Sequence, residues 1–222
     1  MANLRLVQHT LLGAVRHRRT LATCRALLGA LTLVAIGVQL VAASRVAGFH
    51  FANFFGYFTI LSNAFAAAVL LYAAANVGPP HRLDVVRGAA TVYLALVGIV
   101  FTLLLANLES NVVPWVNAVV HYLMPVAIVA DWALNPPNSR LTAREALSWL
   151  AIPLSYVAYT LIRGSVVHWY PYPFLDVGVI GLVAMSAYVV GIFVITAFLA
   201  FGVRAVGNAL RERRDRAARP PS

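Results

Sequence analysis

Three polar side chains interrupt an apolar stretch of the chain, in the segment FFGYFTILSN from Phe54 to Asn63. Thr59, Ser62 and Asn63 are spaced i, i+3 and i+4, so a helix places them on one face. A hydroxyl becomes an acyl-transfer nucleophile when a neighbouring base takes its proton. The segment therefore provides two candidate nucleophiles, Thr59 and Ser62, and their spacing alone does not choose between them.

A candidate base lies in a later apolar stretch, where Asn117 precedes His121 by one helical turn. The His121 imidazole is suited to take and return a proton, and Asn63 or Asn117 is suited to orient it or to donate to an oxyanion. Each group also has a purely structural explanation. Hydroxyls in membrane helices bond backbone carbonyls, and a histidine near Pro125 can satisfy a carbonyl that the proline frees.

Further polar residues flank and occupy the segment GSVVHWYPYPFLD, residues 164–176. The planar guanidinium of Arg163 is suited to bind a carboxylate. Tyr172 and Asp176 are candidates to support a substrate beside it. An interfacial ion pair between Arg163 and Asp176 explains those two equally well, and the aromatic residues of the segment are typical of a membrane-interface belt.

Composition identifies the elements that carry these residues. Of 222 residues, 61% are hydrophobic and only 11% are charged, whereas about a quarter are charged in a soluble domain. Several apolar runs approach or exceed the ~20 residues that cross a bilayer as a helix. The sequence therefore predicts an all-α bundle of six transmembrane helices. The predicted spans are Ala26–Ala43, Phe54–Val77, Gly88–Asn107, Pro114–Leu134, Ala146–Ile162 and Val177–Phe201.

The arginines predict the orientation of the six spans. All 17 basic residues are arginine, and only Arg45 and Arg163 lie on one side of the predicted bundle. Because arginine accumulates on the cytoplasmic side, both termini are expected to be cytoplasmic, and the protein is expected to be a multi-pass protein of the cytoplasmic membrane. The candidate residues then share the outer leaflet: Thr59, Ser62, Asn63, Asn117, His121, Arg163 and Asp176. Asp131 lies at the cytoplasmic end of the fourth span, where a structural role is favoured.

The same pattern divides the chain into three parts: a basic cytoplasmic segment (1–25), the transmembrane domain (26–203) and a basic tail (204–222) that is expected to be disordered. Residues 41–44 resemble a signal-cleavage site, but the ~25 residues before the first apolar run favour an uncleaved anchor. The tail is better explained by topology and contact with anionic lipid than by nucleic acid, so no nucleic-acid partner is expected. Gly78, Pro79 and Pro80 are expected to break the chain between spans, and Thr142 with Glu145 predicts a helix-capping box.

Several chemistries lack their usual motifs. The single cysteine, Cys24, excludes an internal disulfide framework, and no Cys/His metal spacing occurs. Phosphate-binding and dinucleotide-binding glycine motifs are absent from the sequence as well. We therefore expect no metal and no organic cofactor.

Three stretches, YFTILSN, HYLMPVAIVADW and YPYPFLD, occur in this order. Together they resemble the androgen-induced-gene/ADTRP family of six-span membrane proteins, and its bacterial branch above all, over roughly residues 54–176. The animal members hydrolyse fatty acid esters of hydroxy fatty acids with an intramembrane threonine and histidine. The resemblance implies Thr59 as nucleophile and His121 as general base and acid, in a membrane whose lipids supply the fatty-acyl ester. Here Tyr122 follows the histidine where animal members commonly have threonine. This difference leaves the threonine–histidine pair intact and concerns the identity of the substrate. The residues in supporting positions are Ser62, Asn63, Asn117, Arg163, Tyr172 and Asp176.

The expected function is therefore hydrolysis of a lipid ester within the membrane. The alternative is a non-enzymatic membrane protein that binds lipids or small molecules, or a small transporter. Transporters of this size often contain inverted repeats and broken helices, but Pro125 and Pro153 do not form a matched pair. A structural subunit of a larger complex is a third alternative, compatible with small residues such as Gly181 and Ala184 in the last span.

Overall fold

The computed structural model describes residues 2–76, 81–108 and 112–218, and within these ranges the secondary structure is helix joined by turns and loops, with no strand. Within them, six helices are long and apolar enough to cross a membrane. The predicted all-α, six-span class is therefore confirmed, while the cytoplasmic orientation of the termini stays a prediction. The spans are Arg18–Ser44, Phe58–Ala75, His81–Leu105, Pro114–Leu134, Ala143–Val167 and Leu182–Ala217.

Several of these spans are composed of more than one helical element. The α-helices are α1 (Ala2–Ser44), α2 (Phe51–Phe54), α3 (Phe58–Ala75), α4 (His81–Val100), α5 (Pro114–Ala118), α6 (Met124–Leu134), α7 (Ala143–Ser148), α8 (Ala151–Val167), α9 (Val177–Ile180) and α10 (Leu182–Ala217). Two π-helical turns interrupt the third and fourth spans within the described residues: π1 (Phe101–Leu105) follows α4, and π2 (Val119–Leu123) joins α5 to α6. A 3₁₀ turn covers Pro173–Leu175.

Two predicted span starts are displaced by short local structure. The second span begins at Phe58 rather than Phe54, because α2 ends first and the chain turns. The sixth begins at Leu182 rather than Val177, because Gly181 adopts a φ of +78° that ends α9 and that glycine reaches without a Cβ clash. The predicted capping box is confirmed: Thr142 Oγ1 accepts from the Glu145 amide, and Glu145 accepts from the Thr142 amide at 2.7 Å. The predicted break at 78–80 lies outside the described residues.

The expectation of a disordered tail is wrong as far as Ala217, because α10 continues to that residue. Arginine and alanine are good helix formers, and Arg211 pairs with Asp215 one turn later at 3.4 Å. The tail also contacts the loop before α7, since Arg211 Nε donates to the Asn138 carbonyl oxygen at 3.0 Å. Residues 219–222 lie outside the described part of the chain.

Spans two, three and four are the most buried of the six, and small residues allow close packing in this part of the bundle. Gly88 on α4 lies directly against the Trp149 ring, where a Cβ would collide with the indole. Trp149 Nε1 donates to the Val85 carbonyl oxygen at 3.0 Å, so this ring is held both by packing and by a hydrogen bond. Such small-residue contacts are how membrane helices approach one another without a hydrophobic driving force.

A buried ionic network joins three spans at the end of the bundle where α3 ends and α4 begins, which we call the arginine end. Asp131 accepts from Arg25 at 2.6 Å and from Arg87 at 2.9 Å. Arg87 is only 2% exposed, and Asp84 beside it accepts from the Asn138 amide at 2.7 Å. The arginine count predicts Arg25 in the N-terminal segment and Arg87 in the second loop as topology-setting charges, but their side chains are buried pairing partners of Asp131. Intramembrane charges are tolerated when they pair in this way.

Candidate active site

A cleft of about 720 Å³ lies at the opposite end of the bundle, where α3 begins and the 168–176 loop follows α8. We call this the site end. The sequence-predicted residues that line the cleft are Thr59, Asn117, His121, Tyr172 and Asp176. Ser62, Asn63 and Arg163 do not line it. The cleft is also lined by His50, Asn53, Ile60 and Phe101, to which the sequence assigns no role, and by Trp169 of the predicted aromatic belt.

Thr59 lies in the first turn of α3, where backbone amides have no partner within the helix. Two tyrosine hydroxyls from other elements replace the missing cap. The Phe58 amide donates to Tyr156 at 3.2 Å, and the Thr59 amide donates to Tyr172 at 3.3 Å. The Tyr172 hydroxyl also lies 3.4 Å from Thr59 Oγ1, so it contacts the candidate nucleophile directly.

Burial determines the protonation of Tyr172. The side chain is enclosed in the 168–176 loop, and this desolvation raises the pKa of its phenol above the ordinary value. The phenol therefore keeps its proton at neutral pH and remains a hydrogen-bond donor beside Thr59. The amide of Ile60, the residue after Thr59, has no acceptor among the described residues, and Ile60 lines the same cleft, so this amide is a candidate second donor.

His121 is held in one tautomer by the residue one turn earlier. Its Nδ1 lies 2.7 Å from Asn117 Oδ1. Because an amide oxygen only accepts, Nδ1 carries the proton and Nε2 carries the lone pair. Within the described residues, the hydrogen bond of the His121 ring is the one at Nδ1, which leaves Nε2 available as the base. The structural explanation of His121, as a partner for a proline-freed carbonyl, is therefore not the arrangement found.

The imidazole is also fixed by an aromatic contact between the two π-turns. The His121 ring on π2 stacks on the Phe101 ring on π1, with centroids 3.8 Å apart and planes within 14°. Phe101 lines the cleft as well. Single π-turns within α-helices occur frequently at functional sites, and here two of them, among the described residues, meet at the candidate base.

Asn63 connects the nucleophile turn to the base turn. Its Nδ2 donates to the Thr59 carbonyl oxygen at 2.9 Å and to the Val120 carbonyl oxygen at 3.1 Å. No hydrogen bond joins Thr59 to His121 in the described part of the chain. The Asn63 amide thus links the backbone of Thr59 to that of Val120, the residue before His121, and Thr59 and His121 share a cleft without a hydrogen bond between them in the described residues. Such pairs often tighten only when substrate is bound.

The two candidate nucleophiles, Thr59 and Ser62, have different environments. Ser62 is 3% exposed and does not line the cleft, and its Oγ has no hydrogen-bond partner among the described residues. Thr59 reaches both the cleft and the Tyr172 hydroxyl. Geometry therefore favours Thr59.

Arg163 stands behind the cleft wall rather than on it. Its guanidinium donates to Asn53 Oδ1 at 2.6 Å and lies over the Trp169 ring, 5.1 Å from the centroid. Asp176 instead accepts from the Gly178 amide at 2.9 Å and caps α9. Within the described residues the two charges form no ion pair, so the interfacial-pair explanation is not what the structure contains.

Tyr156 and Phe101 are site-end residues that sequence reasoning missed. Tyr156 had a usable signal, since its hydroxyl lies within an apolar span and needs a partner. Phe101 had none, because its stacking on His121 depends on the π-turns.

Comparisons with protein families, curated proteins and solved structures find no match to this chain. The resemblance to the androgen-induced-gene/ADTRP family therefore stays a prediction from the three motifs.

Proposed function

We propose that this multi-pass membrane protein is a hydrolase of lipid esters, of the kind that cleaves fatty acid esters of hydroxy fatty acids. One observation carries the proposal: the Thr59 hydroxyl and the His121 imidazole line the same large cleft, and each is oriented by its own polar partner. A hydroxyl and an oriented imidazole are the two groups that nucleophilic acyl transfer needs.

The residues suggest a two-step reaction. Thr59 Oγ1 attacks the ester carbonyl carbon while His121 Nε2 takes the hydroxyl proton. The tetrahedral oxyanion accepts hydrogen bonds from the Tyr172 phenol and the Ile60 amide, which are placed beside Thr59 before the reaction begins. The intermediate then collapses, the C–O bond to the alcohol breaks, and His121 returns its proton to the departing alkoxide.

Water completes the cycle. His121 takes a proton from a water molecule, and the resulting hydroxide attacks the acyl carbon on Thr59. The bond between the acyl carbon and Thr59 Oγ1 breaks, Thr59 regains a proton from His121, and the carboxylic acid leaves. Because Thr59 and His121 share no hydrogen bond in the described residues, substrate binding is expected to bring them together.

Arg163 has an indirect part in this proposal. It holds the Asn53 carboxamide and the Trp169 ring, both of which line the cleft. The positive charge of its guanidinium lies behind this wall, which favours binding of the carboxylate of a hydroxy fatty acid.

The test is covalent labelling of the purified full-length protein with a fluorophosphonate probe, together with mass-spectrometric detection of hydroxy fatty acid release. Labelling and product are expected from the wild type and are expected to disappear in Thr59→Ala and His121→Ala. Ser62→Ala tests the competing nucleophile and should retain both. Thr91→Ala is a matched control, since Thr91 is a buried threonine outside the cleft that bonds the Arg87 carbonyl. Wild-type protein that is folded but gives neither label nor product would refute the proposal.

A second candidate function is binding of an amphiphile without catalysis. It is favoured by the absence, within the described residues, of a hydrogen bond between Thr59 and His121. A protein of this kind would bind the ester and its non-hydrolysable ether analogue with equal affinity and would release no product from the ester.

A further inference from the structure

A second, smaller cavity also borders Thr59, and we call it the slot. Its volume is about 60 Å³. It lies between α4, α8 and α10, and its apolar wall includes Leu96, Val97, Val100, Pro153, Val157 and Ile192. Four residues line both the slot and the cleft: Thr59, Phe101, Leu105 and Tyr172. The candidate nucleophile therefore stands where two chambers meet.

The chambers differ in chemistry. The side-chain polar atoms of the slot are confined to the hydroxyls of Thr59, Tyr156 and Tyr172, and each of these is already hydrogen-bonded. The cleft contains the imidazole of His121 and the carboxylate of Asp176. An apolar chain has no hydrogen bonds to lose when it enters the slot. A polar group there would lose its hydrogen bonds to water and find no new partner, which costs free energy.

The position of His121 fixes which half of an ester occupies which chamber. In the proposed reaction His121 returns its proton to the departing alkoxide, so the alcohol half must lie on the His121 side. His121 lines the cleft and does not line the slot. The acyl half, on the other side of the carbonyl carbon, then points toward the slot.

We propose that the slot binds the acyl chain of the substrate, and that Val157 and Ile192 determine the length and branching of the acyl chains that the protein accepts. The inference rests on the proposed hydrolase function for the direction of the ester. One water-sized group needs roughly 10–15 Å³ of cavity volume. The slot volume of about 60 Å³ therefore accepts only the first few methylenes next to the carbonyl. Branching at these methylenes is excluded, and the rest of a longer chain must leave between the helices.

The first test is the chain-length profile of the full-length protein, measured with p-nitrophenyl esters from acetate to palmitate. Val157→Phe and Ile192→Phe fill the slot and are expected to lower kcat/KM for hexanoate and longer esters by about tenfold, with acetate nearly unchanged. Leu154→Phe is the matched control, because Leu154 lies on the same helix, is 55% exposed and does not line the slot. An unchanged profile in both filling variants, with activity retained, would overturn the inference.

The second test needs no catalysis. A fatty acyl probe with a diazirine close to its carbonyl end is photolysed on the wild-type protein, and the labelled residues are mapped by mass spectrometry. Label is expected on the slot-facing segments of α4, α8 and α10, and Val157→Phe should reduce it while Leu154→Phe does not. Label confined to the cleft would refute the slot as the acyl site. If the wild type hydrolyses no ester, the proposed function fails, and this mapping still decides whether the slot takes an acyl chain.

Discussion

The side-chain amide of Asn63 donates a 3.1 Å hydrogen bond to the carbonyl oxygen of Val120, the residue directly before His121. That carbonyl has no backbone donor in its own helix, and the local backbone explains why. The Met124 amide donates to the Val119 carbonyl oxygen in the π-turn. The next residue, Pro125, has no backbone N–H and cannot donate. Asn63 therefore satisfies a carbonyl that the fourth span cannot satisfy itself, and it does so from the helix that carries the candidate nucleophile.

Removing this amide should therefore loosen the site and the bundle together. In Asn63→Ala the Val120 carbonyl is left buried without a partner, so the free energy of unfolding is expected to fall by about 1–3 kcal/mol. Thermal or denaturant unfolding in detergent measures the loss. Asn76→Ala is the control, since the Asn76 amide also bonds a carbonyl one turn earlier but does so at an exposed position. Equal stability losses in the two variants would contradict the bridging role.

Asn117 should matter for rate rather than for binding. In Asn117→Ala the imidazole of His121 is no longer held with its proton on Nδ1, so the lone pair on Nε2 is not reliably presented. We expect kcat to fall by about a hundredfold while KM changes little, measured with the ester substrate of the wild type. A rise in KM with kcat unchanged would instead assign Asn117 to substrate binding.

Tyr172 and Tyr156 provide a matched pair of hydroxyl deletions, because each accepts from an amide in the first turn of α3. Only Tyr172 also contacts Thr59 Oγ1. Tyr172→Phe is expected to lower kcat by about a hundredfold or more, whereas Tyr156→Phe is expected to cost about 1 kcal/mol of stability with little loss of rate. Similar rate losses in both variants would show that the hydroxyls act only as helix caps.

The pH–rate profile offers a separate check on Tyr172. Burial raises the pKa of this phenol above its ordinary value, which is near 10. The phenol therefore stays protonated throughout the neutral and moderately alkaline range, and its donor function is lost only when the pH rises through the elevated value. We expect no alkaline decline of kcat below about pH 10 from this group. A decline there that is absent from Tyr172→Phe would contradict the assignment.

Much of this arrangement could be predicted from the sequence, for reasons that individual residues make clear. Apolar run length determined the span count, because a bilayer requires about the same number of residues from each helix. Thr142 and Glu145 predicted their cap, because both partners lie within one turn. The common end of Thr59 and His121 followed from counting alternate spans.

The rest depended on contacts between distant parts of the chain. Ser62 and Thr59 share a helical face, but Thr59 lies in the first turn of α3 and lines the cleft, whereas Ser62 lies one turn further along and does not. The π-turns break the 3.6-residue period on which sequence patterns rely, so the stacking of Phe101 on His121 had no local signal.

Charge patterns misled in two places for the same physical reason. The arginine-rich tail reads as solvated, yet Arg211 bonds the loop carbonyl of Asn138 and the helix continues. Arg25 and Arg87 read as loop charges that set topology, yet both side chains are buried against Asp131. A count of charges gives their number on each side of the membrane but does not give their partners.

The Asp131 network predicts a stability effect that is separate from the site. In Asp131→Asn, the buried guanidinium groups of Arg25 and Arg87 lose the carboxylate that both contact. Breaking a buried ion pair by removing one partner leaves an uncompensated charge, so unfolding is expected to become easier by about 3–5 kcal/mol. Glu212→Gln is the control, because its pair with Arg216 on α10 is exposed and should contribute less than about 1 kcal/mol. Thermal unfolding in detergent measures both variants.

Because the network lies at the arginine end, the folded fraction of Asp131→Asn should keep its kcat with the ester substrate. A parallel loss of kcat and stability would instead show that the two ends of the bundle are coupled.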